Sequence, residues 1–212
     1  MQFPDARILL FCRAPLAGKV KTRLIPTLGS EAAGRLYTRL LRHVLQIVVD
    51  ARLCALEIWV TPDGKHPFFS EWIELDGVDL FTQSGSDLGM RMYNAAMDAG
   101  KRAESVVLIG SDCPVMSAAY LESALTKLHS GYDAVLGPAE DGGYVLLGLR
   151  RCHVSLFEQI SWGEETVCTE TCRRLNSLQW RWSLLGKKWD VDRPEDLARL
   201  AGLPQLSGLV SN

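Results

Sequence analysis

Short apolar runs alternate with longer amphipathic stretches along most of this 212-residue chain, and that alternation restricts its fold more than any other feature. Residues 7–13, 56–61, 78–83, 106–109 and 134–137 read as strands. Between the first two, Leu36, Leu40, Val44, Ile47 and Ala51 recur at helical spacing in a segment opened by Ser30 as N-cap, with Glu31 in its first turn. Residues 69–75, 88–103 and 118–129 supply further helices. Continuous apolar strands belong to parallel sheets covered on both faces. The pattern therefore predicts an α/β fold, a three-layer α/β/α sandwich around a mostly parallel sheet, with ligands gathered at the carboxyl ends of the strands. After Asp141 come a strand over 144–149, a helix over 164–175, and a strand over 180–185 whose alternating aromatics suit an antiparallel edge. A last helix begins near Pro194. With no repeat or linker in view, residues 1–212 are expected to form one domain.

The chain is 47% hydrophobic and 23% charged, enough apolar material for a sizeable core. A formal net charge of −2 argues against nucleic-acid or membrane-surface binding, which demands a broad basic footprint. No apolar segment approaches the roughly 20 residues that span a bilayer, and a cytoplasmic location without membrane insertion is expected. Cys12, Cys54, Cys113, Cys152, Cys168 and Cys172 show no Cys-x-x-Cys pairing, so reduced thiols are expected. His43, His66, His129 and His153 have neither ligand spacing nor a partner for a triad.

Against that near-neutral background, the stretch between Asp5 and Glu31 carries five cations (Arg7, Arg13, Lys19, Lys21 and Arg23) and no acid. The run from Arg13 to Arg23 lies between a strand and a helix, where a loop binds anions readily, and its charge suits polyphosphate. It is not a Walker A loop, which needs Gly where Arg13 stands and Ser or Thr where Val20 stands. Nor is it a dinucleotide fingerprint, since Gly18 is its one glycine. A solvated basic connection is the competing reading.

Acids occupy four other strand ends. Asp112, in Gly110-Ser111-Asp112-Cys113-Pro114, follows the strongest strand and could hold Mg²⁺, or could simply cap the next helix. Asp190 and Asp192 precede a helix with Pro194 in its first turn, and one of them could complete a metal site while Asp192 alternatively serves as N-cap. The segment Asp141-Gly142-Gly143-Tyr144 lets backbone approach a ligand closely. Asp87, Gly89 and Arg91 combine an acid, a base and flexible backbone, although Asp87 also suits a helix cap. Trp162 follows a polar loop, where it could line a pocket or pack.

In order, Ala14-Pro15 with Gly18 to Leu24, Asp87-Leu88-Gly89 with Arg91, Gly110 to Asp112 with Pro114, Asp141 to Tyr144, and Asp190 to Asp192 with Pro194 to Leu197 resemble a bacterial glycosyltransferase-like family of the nucleotide-diphospho-sugar transferase (GT-A) superfamily. The basic loop and following helix are similar to those of phospholactate guanylyltransferase. The resemblance implies that Arg13, Ala14, Pro15, Gly18, Lys19, Lys21, Arg23, Asp87, Gly89 and Arg91 contact a nucleotide. It implies that Asp112 binds the catalytic Mg²⁺, or Mn²⁺ in its place, with Asp190 or Asp192 as a second carboxylate, and that Gly142, Gly143, Tyr144 and Trp162 face acceptor or sugar. Lys21, Asp112 and Asp141 are the implied catalytic residues. Two departures stand out. In the family Ser161-Trp162 is followed by a Ser-Thr or Thr-Thr pair, where this chain has Gly163 and Glu164, and many glycosyltransferases of this fold carry Asp-x-Asp where this chain has Ser111-Asp112-Cys113-Pro114. The partners expected are a nucleoside triphosphate or nucleotide sugar and a small-molecule acceptor. Nucleotidyl transfer is favoured over glycosyl transfer, with a non-catalytic nucleotide-binding protein as a third class.

Overall fold

β1 (Ala6–Arg13) supplies apolar side chains to both of its faces, and the rest of the sheet is assembled on it. Its pleat sends Ile8, Leu10 and Cys12 to one side and Leu9 to the other, the period-two alternation of any strand. The computed structural model describes residues 1–203, so that residues 204–212, the end of the expected domain 1–212, lie outside the described residues.

From β1 the chain passes through a 3₁₀ turn over Thr22–Leu24, the short α1 (Ile25–Leu28) and the long α2 (Ser30–Ala51) to β2 (Ala55–Thr61). A short α3 (Ser70–Ile73) leads to β3 (Val78–Thr82), α4 (Leu88–Ala99) to β4 (Ser105–Gly110), and α5 (Ala118–His129) to β5 (Ala134–Pro138). A tight turn then gives β6 (Tyr144–Leu149), followed by α6 (Val167–Ser177), β7 (Trp182–Leu184) and α7 (Pro194–Ala201). The seven strands form one sheet in the order β3-β2-β1-β4-β6-β5-β7. All are parallel except β6, which runs antiparallel to both neighbours.

Two helical layers cover the sheet. Tyr37, Leu41, Val44, Leu45 and Val48 of α2 and Leu121, Ala124, Leu125 and Leu128 of α5 pack on one face. Met92, Ala95, Ala96 and Ala99 of α4, with Leu175 of α6 and Leu156 and Phe157 before it, pack on the other. A third cluster joins Leu36 and Leu40 on another side of α2 to Trp189, Val191 and Leu200, docking the C-terminal segment beside the N-terminal loop.

The expected α/β/α architecture is present, and one strand differs from expectation. The edge strand expected to lie antiparallel over 180–185 is β7, parallel to β5. Its direction follows from the path before it: β6 descends the sheet, the chain climbs back so that α6 begins beside Gly142, where Cys168 N donates to Gly142 O at 2.9 Å, and α6 then returns it to the starting end. Helix ends also move by a turn. α4 stops at Ala99 because Gly100 closes it through Ala96 O, and α2 takes Gly29 rather than Ser30 as N-cap.

Leu108 lies in β4 at the centre of the sheet, 3% exposed beneath α4. Leu108→Ala should lower unfolding free energy by about 2–5 kcal/mol, the usual cost of a buried leucine cavity, read by urea denaturation with an unchanged m-value.

Candidate functional site

The carboxyl ends of β1 and β4 are tied together by one tyrosine. Tyr37, on α2, accepts a hydrogen bond from Arg13 N at 2.7 Å and donates to Arg13 O at 3.1 Å. Ser111, just past β4, lies 3.4 Å from the same hydroxyl, and its Oγ donates to Asp112 Oδ1 at 2.9 Å. The basic loop and the Asp112 turn are therefore fixed relative to each other by hydrogen bonds as well as by strand pairing. Burial, first of all, pushes the Tyr37 phenol above its ordinary range, so it stays a neutral hydroxyl.

Above these ends opens a cleft of about 670 Å³. Arg13, Lys19, Lys21 and Arg23 enter it from the basic loop, Asp112 from β4, Asp141, Gly143 and Tyr144 from the β5–β6 turn, Trp162 and Glu164 from the segment before α6, and Asp192 from the segment before α7. Arg91 and Met92 close it from the first turns of α4. This is where ligands bind in open α/β sheets.

Two ion pairs cross the floor and rim. Lys21 Nζ sits 2.7 Å from Asp112 Oδ2, with the lysine side chain 3% exposed and the aspartate 35%. Lys21 holds a left-handed backbone (φ +47°, ψ +43°), a strained conformation for a non-glycine residue. At the rim the Arg23 guanidinium pairs with Asp192. Asp190 is half-buried near Asp112, Asp141 and Lys21, and its carboxyl is pushed up to about 6 by burial first and then by the negative charges of Asp141 and Asp112. Asp112 O also accepts from Val191 N at 3.0 Å, which seats the 190–192 segment on the end of β4.

The β5–β6 turn is held from outside the cleft. Arg199 of α7 grips Glu140 with two hydrogen bonds of 2.6 and 2.9 Å, and Glu140 N donates to Lys188 O at 2.9 Å. Asp141 Oδ1 accepts from Gly143 N at 2.9 Å. Gly142 must be glycine: its φ is +89°, and a Cβ there would lie 2.1 Å from Glu165 O. The glycine thus permits close packing against the chain entering α6.

The remaining expected residues divide plainly. Ala14 is buried, with its N–H on Thr61 O, and Pro15 lines a separate shallow groove with Ala17, Gly34 and Arg35. Gly18 supplies a positive-φ turn without lining the cleft. Asp87 is exposed and caps α4 by accepting from Met90 N at 2.9 Å, a bond that holds its carboxyl below the usual range. Gly89 allows α4 to touch its neighbours, since a Cβ would stand 2.6 Å from Trp162 Nε1 and 2.3 Å from Phe157 O. Trp162 both packs and lines the cleft, edge-on to Tyr144 at 6.3 Å. Asp192 is not the cap of α7, where Asp196 instead accepts from Asp192 N and Arg193 N.

Two of the cleft residues that were not expected tie strand ends together. Tyr37 is one, and Gln83 is the other: its Nε2 donates to Cys12 O and Trp59 O at 3.0 and 2.9 Å, bridging the ends of β1 and β2. A lone amide at a strand end and a tyrosine on a core-facing helical stripe were the available signals. Among the described residues, no group of three or more His, Cys, Asp or Glu side chains is close enough to hold a metal ion unaided.

The arrangement can neutralise and orient a polyanion between the basic loop and α4, with carboxylates facing it from four distant segments. No curated protein matches the chain. Residues 44–164 match the family described as "Uncharacterized protein conserved in bacteria (DUF2064)". Among solved structures, a Desulfovibrio desulfuricans G20 protein described as a nucleotide-diphospho-sugar transferase is 33% identical, with 90% of this chain and 84% of that one covered at a TM-score of 0.80. A cytidylyltransferase from Leptospira borgpetersenii serovar Hardjo-bovis is 16% identical, with coverage of 86% and 76% and a TM-score of 0.56. Rv0371c from Mycobacterium tuberculosis H37Rv, in complex with manganese, is 17% identical, with coverage of 93% and 97% and a TM-score of 0.52. The last two show likeness of fold alone. Together with the family match and the first structure, the sheet order and cleft identify the chain as a member of that bacterial family and an enzyme of the transferase class with the nucleotide-diphospho-sugar transferase fold.

Proposed function

We propose that this enzyme transfers a nucleotidyl group from a nucleoside triphosphate to a small phosphorylated acceptor, releasing pyrophosphate. The observation that carries the reading is the set of five cations lining one cleft, Arg13, Lys19, Lys21, Arg23 and Arg91, with Asp112 at its floor. That much positive charge suits a triphosphate better than the diphosphate of a nucleotide sugar. In the reaction an acceptor oxygen attacks the α-phosphorus, and the bond from that phosphorus to the oxygen bridging it to the β-phosphate breaks. Lys19, Lys21 and Arg23 stabilise charge on the α-phosphate and on the departing pyrophosphate. Tyr144 and Trp162 face the acceptor, beside the glycines of the β5–β6 turn.

A divalent cation, Mg²⁺ or Mn²⁺, fits the donors present. Asp112 and Asp190 offer hard carboxylate oxygens; burial first, and then the charges of Asp141 and Asp112, raise the Asp190 carboxyl, and a cation held by these residues would offset that like charge. Asp192, which lines the cleft and pairs with Arg23, is the other candidate for the second carboxylate. Bound there, the metal would supply Lewis-acid polarisation and alignment of the phosphates. A Mg²⁺ ion needs one or two protein oxygens and fills its octahedron from phosphates and water. The manganese complex of a protein with the same fold supports the same choice.

Glycosyl transfer is the second reading, favoured by the sugar-transferase description of the 33% identical structure and by exposed Asp141 in the cleft, placed as an acceptor base. No helix among the described residues is long and apolar enough to cross a membrane.

A panel of triphosphates, nucleotide sugars and phosphorylated acceptors, resolved by phosphate-detecting chromatography, separates the readings. Pyrophosphate from a triphosphate is expected. Nucleoside diphosphate from a sugar donor, with every triphosphate intact, would overturn the proposed reaction. Asp112→Asn keeps the side-chain shape but removes its charge, and should lower kcat/KM by about 100-fold or more, roughly 2.7 kcal/mol of transition-state stabilisation. Lys19→Ala should weaken triphosphate binding measured by calorimetry and flatten its dependence on ionic strength.

A further inference from the structure

The position that Asp112 would offer to a metal already has a cation in it. Lys21 Nζ lies 2.7 Å from Asp112 Oδ2, and Ser111 Oγ takes Oδ1 at 2.9 Å, so both oxygens of the carboxylate are engaged. The lysine is no surface residue swinging past: its side chain is 3% exposed, and its backbone keeps a strained left-handed conformation. Among the described residues, no three His, Cys, Asp or Glu side chains are grouped to hold an ion.

We infer that Lys21 is a resident substitute for the metal: in the free enzyme its ammonium occupies the coordination position on Asp112, and the metal enters only when a triphosphate draws Lys21 away. This rests on the nucleotidyl reading of the cleft. Cations repel, so an ion approaching Asp112 in the free enzyme meets the lysine charge at short range. A triphosphate reverses that balance, because its oxygens accept the ammonium and bring further ligands for the ion. Metal and nucleotide then raise each other's affinity by the same factor, as linkage requires. The donor taken up is the metal–triphosphate complex, and metal alone is excluded.

Mn²⁺ titration followed by electron paramagnetic resonance tests this without turnover. Wild-type protein should bind Mn²⁺ poorly alone and much more tightly with a non-hydrolysable triphosphate analogue. Lys21→Met should bind Mn²⁺ without nucleotide at least tenfold more tightly than wild type, a shift of about 1.4 kcal/mol. Lys21→Gly, which also relieves the left-handed backbone, guards against a folding defect and should show the same gain. Adding Asp112→Asn to either variant should abolish it, whereas Lys19→Met, which removes a cleft charge not in contact with Asp112, should leave Mn²⁺ affinity close to wild type. Wild-type protein binding Mn²⁺ alone as tightly as both Lys21 variants would overturn the inference while leaving nucleotidyl transfer standing. Conversely, a gain at Asp112 in the Lys21 variants with no triphosphate bound by any form would uphold Lys21 as occupant of the metal position but overturn its displacement by triphosphate, and with it the nucleotidyl reading.

Discussion

The ion pair between buried Lys21 and partly exposed Asp112 joins the two segments on which the cleft depends, the loop after β1 and the turn after β4. Such a pair is a poor source of stability, because taking the lysine charge out of water costs about what its attraction to the carboxylate returns. The fold keeps the charges and adds a strained backbone at Lys21, so the arrangement serves something other than packing. What surrounds it supports that view: Tyr37 fixes both strand ends, Val191 seats the 190–192 segment on Asp112, and α7 clamps the Asp141 turn through Glu140.

Sheet topology explains why residues so far apart in sequence meet. Parallel strands β1, β2 and β4 all end on one side, so their following loops share it. β6 reverses direction, which brings the β5–β6 turn to that same side and delivers Asp141 and Tyr144 to the cleft. The passage back up to α6 carries Trp162 and Glu164 there as well.

Much of this was legible in the residues. Strand runs, helical spacing, the acid-free basic segment and the acids at strand ends pointed to the α/β sandwich and to a cleft at the carboxyl ends. The direction of β7 was not legible, since alternating Trp180 and Trp182 describe a half-covered edge without stating which way it runs. Nor were the roles of the glycines. Gly89 and Gly142 are demanded by Trp162, Phe157 and Glu165, residues distant in sequence whose approach no local pattern encodes. Asp87 and Asp192 illustrate the same limit in opposite directions: both suited helix caps, yet only Asp87 caps one, because Asp196 already accepts the free N–H groups at the start of α7. Tyr37 escaped notice since its ring belongs to the core stripe of α2 and only its hydroxyl reaches the strand ends.

The most direct test is a crystal structure with Mn²⁺ and a non-hydrolysable nucleoside triphosphate, recorded at the manganese absorption edge. The expected result is an anomalous peak between Asp112 and Asp190, with phosphates against Lys19, Lys21 and Arg23 and the Lys21 ammonium moved from Asp112 to a phosphate oxygen. Manganese or phosphates seated elsewhere, such as the groove beside Pro15 and Arg35, would contradict the assignment of this cleft.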